Sequence, residues 1–242
     1  MFEVAGKRVL VTGSTQGIGR AVAAAFAAAG ASVWIHGSRK EKTEKASESI
    51  GAGTRAAWAD LSEAGCAHRL YEKTGDVDIL ILNASVQYRK AWDAVTAEEF
   101  DTQLHVNLKS SLELIQKYVP AMQAQGWGRI ITIGSVQQFV PHKDMVIYAA
   151  SKSALYALVR NLAKQLAPCG ITVNNVAPGA MATPRNADVV RNPDYLAKVL
   201  AGIPAGYMGA EHDCNGACFL LASEEGRYIT GANLCIDGGM SL

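Results

Sequence analysis

Seven short apolar runs, most of them separated by segments of helical spacing, leave this chain few folds to choose from. They cover residues 8–12, 32–36, 54–58, 79–83, 129–134, 172–177 and 233–236. Such runs are too short for buried helices and lack the alternation of a sheet wetted on one face. They predict parallel strands covered on both sides. Helical spacing falls between them: an Ala-rich stretch ending at Ala29, then 40–50, a segment through Thr74, two successive segments over 96–125, and 147–167. This predicts a single α/β domain over 1–242, a doubly wound parallel sheet of seven strands with helices on both faces. Its 242 residues suit one such domain. Residues 178–209 break the rhythm, being rich in Pro, Gly, Asn and Met and following directly on a strand. Loops at the carboxyl ends of such strands carry the site, so this one is expected to be a substrate-binding lid, with a short helix near 195–201.

Composition excludes several classes. Net charge is +1 and no basic run stands out, which argues against a nucleic-acid or membrane surface. The first ten residues carry Glu3, Lys7 and Arg8 and no apolar signal core; the longest nearly apolar stretch, 21–35, is too short to span a bilayer. A soluble, cytoplasmic protein is expected. Five cysteines, odd in number and scattered, read as reduced thiols. His212, Cys214 and Cys218 lack a C-x-x-C pair and a fourth ligand, so no metal is expected and the cluster reads as one face of a buried helix.

The first run opens into a glycine-rich turn, Gly13-Ser14-Thr15-Gln16-Gly17-Ile18-Gly19, followed by a helix. Glycines there permit a tight turn and let the backbone approach a pyrophosphate at the helix N-terminus. The spacing is G-x-x-x-G-x-G, so the position between strand and helix carries the inference of a Rossmann-type nucleotide site. An acid at the end of the second strand would bind the ribose hydroxyls of NAD. Here Gly37 stands about there, followed by Ser38, Arg39 and Lys40. A hydroxyl and a guanidinium suit a phosphate monoester, which favours NADP(H) over NAD(H). Asp60 and Leu61, after the third run, fall where a carboxylate can meet the adenine amino group.

Further along stand Asn83-Ala84, Asn107, Ser135, Tyr148-x-x-x-Lys152, Pro178-Gly179 with Thr183, and Asp237-Gly238-Gly239. With the glycine turn, these motifs make the whole chain resemble the short-chain dehydrogenase/reductase family. Ser135 precedes Tyr148 by thirteen residues, the family's usual spacing. The resemblance implies a tetrad of Asn107, Ser135, Tyr148 and Lys152. Tyr148 would be the acid or base, Ser135 would hold the substrate oxygen, and Lys152 would reach the nicotinamide ribose. Asn107 would bind a water linking Lys152 to solvent. Asn83, Ala84, Pro178, Gly179 and Thr183 would line the cofactor. Residues four apart share a helix face. An ammonium ~5 Å from a phenolate at an effective dielectric near 20 contributes about 3 kcal/mol, which draws the phenol proton toward neutral pH.

The chain departs from the family's N-N-A-G at the end of the fourth strand: it reads Leu82-Asn83-Ala84-Ser85. The stretches 83–89, 134–137 and 183–209 are similar to the gluconate 5-dehydrogenase and 2-deoxy-D-gluconate 3-dehydrogenase branch. Gln87, Arg89, Gln137, His142, Arg185 and Asn186 are polar residues on loops expected to face the site, and Arg89 or Arg185 can hold a carboxylate bidentately. A sugar acid is the expected small-molecule substrate. One alternative is a 3-oxoacyl-carrier-protein reductase, against which Gln16 counts, since those enzymes often carry Arg there. The other is a catalytically silent nucleotide sensor, against which the intact tetrad counts. The resemblance also implies a homodimer or homotetramer.

Overall fold

The computed structural model describes residues 2–242. Seven strands form one parallel sheet: β1 (Arg8–Val11), β2 (Ser32–Gly37), β3 (Thr54–Trp58), β4 (Ile79–Leu82), β5 (Gly128–Ile133), β6 (Ile171–Pro178) and β7 (Asn233–Ile236). Their order is β3-β2-β1-β4-β5-β6-β7, a doubly wound arrangement. Successive side chains on a strand point to opposite faces, so a continuous apolar run feeds two cores at once. Leu10, Leu80 and Ile130 enter one core. Their neighbours Val9, Val11, Ile79, Ile81 and Ile131 enter the other.

The first core is covered by α3 (Cys66–Thr74), α5 (Ser110–Gln125) and α6 (Val146–Leu166), through Leu70, Leu114 and Val159. The second is covered by α1 (Gly17–Ala28), α2 (Lys40–Ile50) and α9 (Asn215–Ala222). Phe26 and Phe219 stack there with ring centroids 4.5 Å apart, joining α1 to α9. Between α3 and α5 lies α4 (Ala97–Leu104), and between β6 and α9 lie α7 (Ala187–Arg191) and α8 (Pro193–Ala201).

Three details differ from the sequence reading or sharpen it. The two segments over 96–125 do exist, but a π-turn, His105–Lys109, fuses them, with the Ser110 N–H donating to the His105 carbonyl. Residues 178–209 hold the expected short helix as α8, and also α7, which periodicity over five residues could not announce. Cys214 and Cys218 point into the second core while His212 is exposed, so the cluster is split between core and solvent. Among the described residues no group of three or more His, Cys, Asp or Glu is placed to hold a metal ion, and no helix is long and apolar enough to cross a membrane.

The chain leaves β1 toward β2 and leaves β4 toward β5, in opposite directions along the sheet. Loops that diverge at such a point leave a crevice at the carboxyl ends of the strands.

Candidate active site

A cleft of about 580 Å³ occupies that crevice. Its floor is a lattice of short bonds between strand ends. Thr12 Oγ1 accepts the N–H groups of Asn83 (2.9 Å) and Ala84 (3.0 Å). The Asn83 amide returns the contact, donating to the carbonyls of Thr12 (2.9 Å) and Gly13 (3.0 Å). The glycine turn is pressed against this lattice. A Cβ on Gly13, whose φ is +62°, would lie 2.8 Å from the Ala84 Cα, and one on Gly19 would overlap the Asn83 amide. Close backbone approach therefore excludes side chains at both positions. The N-terminus of α1 has no side-chain cap and no acid in its first turn, and Gly17 and Ile18 line the cleft there. With no side-chain cap and no acid of its own in that turn, the helix N-terminus fits a pyrophosphate.

His36, at the end of β2, locks the turn from below. Gly13 N–H donates to its Nδ1 at 3.1 Å, so the ring proton sits on Nε2 and is donated to the Ala59 carbonyl, also 3.1 Å. Full burial drives the imidazole pKa down to about 4. Ser14 joins it, its hydroxyl donating to Val11 O and accepting the His36 N–H. Sequence reasoning missed His36, because a histidine inside an apolar run carries no signal of which backbone groups its ring will meet.

On the other side of the cleft, α6 brings Tyr148 and Lys152 to one face. The Lys152 Nζ lies 5.7 Å from the Tyr148 ring centroid and donates to the Ile133 carbonyl at 2.7 Å. Burial, and then the charge of Arg185, bring the Lys152 pKa down to about 7. The sequence argument assumed a full charge on Lys152; burial leaves it that charge only in part at neutral pH.

Ser135 follows β5. Its Oγ accepts the Gln137 N–H at 3.1 Å, and its own N–H donates to Gln138 Oε1 at 2.9 Å. A Cβ on Gly134 would collide with that amide. Gln138 also receives Asn175 Nδ2, which builds a buried polar bracket behind Ser135. Ser135 and Gln138 form a capping box, and the S-x-x-Q signature that marks one was present in the sequence.

Asn107 sits in the π-turn. Both N–H groups of its amide are engaged, with Val86 O (2.9 Å) and Ser151 Oγ (3.0 Å), and Oδ1 accepts the Val86 N–H at 2.8 Å. Ser151 in turn donates to the Tyr148 carbonyl at 2.7 Å. A water at this amide could only donate to the remaining lone pair of Oδ1. The geometry shows a brace between the loop after β4 and α6.

The outer wall is built differently. Arg185 donates twice to Ser85, to Oγ at 3.0 Å and to the carbonyl at 2.7 Å. Arg89 donates to Asn186 Oδ1 at 3.0 Å, so each segment sends an arginine to the other. His142 lies 3.5 Å from the Tyr195 hydroxyl. Its pKa is lowered, first by burial.

Of the residues expected from sequence, Ser135, Tyr148, Lys152, Gln87, Arg89, Gln137, Arg185 and Asn186 line the cleft. So do Thr15, Gln16, Ser38, Asp60, Leu61, Asn83, Ala84, Pro178, Gly179 and Thr183. Ser14, Gly19 and Asn107 stand behind the lining for the packing reasons just given. Arg39 is exposed as the N-cap of α2, outside the lining. Asp60 is the only acid on the lining; its pKa is lowered by the Ser62 hydroxyl and N–H.

The family model described as enoyl-(acyl carrier protein) reductase matches residues 13–241. This chain belongs to the short-chain dehydrogenase/reductase family. It is 35% identical to 3beta-hydroxysteroid dehydrogenase 1 of Eggerthella lenta, over 99% of this chain and 95% of that protein. It is 36% identical to the 3-oxoacyl-[acyl-carrier-protein] reductase of Escherichia coli K12, over 98% of each. Among solved structures, a gluconate 5-dehydrogenase from Burkholderia cenocepacia in complex with NADP and tartrate superposes with a TM-score of 0.94, at 31% identity, over 99% of this chain and 97% of that one. These short-chain dehydrogenases/reductases share the fold with this chain while their names differ in substrate.

Proposed function

We propose that this protein is an NADP(H)-dependent oxidoreductase that interconverts a carbonyl and a secondary alcohol on a sugar acid or related polyol of the gluconate type. The charge of the cleft's outer half supports that substrate class most. Arg89 and Arg185 line it, and the one acid of the lining, Asp60, lies at the far, β3 end. Unbalanced cations in a polar cleft favour an anion, and guanidinium groups favour a carboxylate.

NADP(H), when bound, supplies or accepts the hydride. Tyr148 gives its phenolic proton to the substrate oxygen in reduction and takes it back in oxidation. Ser135 accepts the Gln137 N–H on its Oγ, which leaves its hydroxyl proton free to donate to the same substrate oxygen. Lys152 engages one of its three N–H groups with Ile133 and keeps two for ribose hydroxyls. Its positive charge, fullest below a pH of about 7, stabilises a Tyr148 phenolate. Asn107 holds Val86 and Ser151 and so sets the position of α6 beside the loop after β4. Gln137 Oε1 is buried without a partner and is available to a substrate hydroxyl.

Residues 178–209 act as the lid of one domain that spans the chain. The protein works as a dimer or tetramer, a reading supported by an open apolar groove along α4, α5 and α6 that includes Leu104, Leu108, Leu112 and Leu158.

The test is a screen that follows nicotinamide absorbance, offering NADPH and NADH with keto sugar acids, neutral keto sugars and an acetoacetyl thioester, and NADP with gluconate and deoxygluconate in reverse. Turnover of keto sugar acids with NADPH is expected. Turnover confined to the thioester would overturn the sugar-acid reading in favour of a 3-oxoacyl-carrier-protein reductase, which the Escherichia coli relative supports.

A further inference from the structure

Beside the cofactor end of the cleft, just outside its lining, stands a cation in a helix whose charged pattern does not single it out. Lys42, third residue of α2, reaches across to the glycine turn and donates to Gln16 Oε1 at 2.7 Å. Gln16 lines the cleft, as do Gly37 and Ser38 opposite. The acceptor matters. A glutamate at this position would hold the lysine and cancel its charge. A glutamine holds it and cancels nothing, and it engages one of three ammonium N–H groups. Lys42 thus stands over the turn with its charge whole and two donors free.

Its neighbours are committed elsewhere or stand apart. Lys40 lies 5.4 Å from the Trp58 ring centroid and 3.9 Å from a carboxylate oxygen of Glu44. Arg20 donates to Ser49. Arg39, like Lys42 itself, is exposed and outside the lining; Lys42 differs from it in bonding Gln16, a residue of the lining. At the end of β2, negative charge is kept out by packing. A Cβ on Gly37 would fall 2.5 Å from Thr43 Oγ1 and 2.6 Å from Thr15 Cγ2, so an acid cannot occupy that position without displacing both. The first turn of α2 has no side-chain cap, which leaves its N–H groups beside Ser38; Glu41 is the one acid in that turn.

We propose that Lys42, positioned by Gln16, is the residue that recognises the 2′-phosphate of the cofactor's adenosine half and thereby selects NADP(H). The inference rests on the NADP(H) reading above and moves the determinant from Arg39 to Lys42. It makes Gln16 a positioning residue, acting only through the lysine.

Direct binding tests it without turnover. NADPH, NADH and 2′,5′-ADP are titrated into wild type, Lys42→Met, Arg39→Met and Gln16→Ala, read by nucleotide fluorescence or calorimetry. Loss of a charge-assisted contact to phosphate is expected to weaken NADPH and 2′,5′-ADP about tenfold or more in Lys42→Met, with NADH unchanged. Gln16→Ala is expected to lose less, in the same direction. Adding Gln16→Arg to Lys42→Met is expected to restore NADPH binding, since a cation returns to the same spot. Wild type with no preference for NADPH would overturn the cofactor reading and this inference together. A wild-type preference that survives Lys42→Met, or one that Arg39→Met alone removes, would overturn this inference and leave the cofactor reading standing. Equal weakening of NADH in Lys42→Met would do the same, because the lysine would then serve the turn and not the phosphate.

Discussion

The floor of the cleft and its outer wall hold polar groups by opposite means. On the floor, Thr12, Asn107, Ser151 and Lys152 are almost wholly buried, and their partners are mostly backbone groups at the ends of strands and helices. On the wall, Arg89 and Arg185 are exposed and their partners are Asn186 and Ser85, on loops. A buried polar group that loses its partner has no water to replace it; an exposed one does. The floor is therefore costly to alter and chemically fixed, while the wall can exchange partners, and a ligand carboxylate can become one of them.

Four experiments can break or sharpen this contrast. The largest effect is expected on the floor, where Tyr148→Phe should lower kcat by roughly 10²–10⁴-fold while nucleotide affinity holds, in single-turnover and binding measurements. Next comes acid stability. The imidazole of His36 falls from 6.5 to about 4 on folding, so its contribution is complete above pH 6.5 and is lost as pH falls through that window. Melting scans should show a loss of about 3 kcal/mol between those limits, and His36→Asn should flatten the slope. Thr12→Val leaves the N–H groups of Asn83 and Ala84 without an acceptor and should cost about 2 kcal/mol in denaturant unfolding. Smallest in stability is Arg185→Met on the wall, expected to shift unfolding by less than ~0.5 kcal/mol. Its signature should be kinetic: a KM for keto sugar acids raised about tenfold, with neutral keto sugars little changed. Because Arg185 disfavours the charge on Lys152, its removal should also move the alkaline limb of the pH profile upward.

The same contrast separates what could be read in advance from what could not. The seven-strand parallel sheet, the glycine turn and the meeting of Ser135, Tyr148 and Lys152 follow from periodicity, spacing and the resemblance that the motifs carry, because strand ends and helix faces convert sequence distance into position. Arg89, Arg185, Gln87 and Gln137 were legible as polar loop residues, yet the pairing of Arg185 with Ser85 was not, since it joins residues a hundred positions apart through long side chains. Ser85 was noticed only as a departure from glycine; its hydroxyl is half of what anchors that arginine. His36 and Lys42 were hidden for a shared reason. Each sits in an element whose pattern was explained without it, one in an apolar strand and the other in a charged helix. Gln138 is legible through its S-x-x-Q spacing with Ser135.

The π-turn at His105–Lys109 has a bearing on how this chain can vary. Such a turn stores one residue more than a regular helix needs over the same length. Remove a residue from it, and α4 and α5 can run on as one unbroken helix with both ends where they were. Elsewhere in a helix, the same deletion would swing every residue on one side by about 100° and strip a buried face. Here the scaffold would scarcely register the loss. Asn107 would turn away from Val86 and Ser151, and the cost would fall on the buried hydrogen bonds it leaves open, at the site and not along the helices.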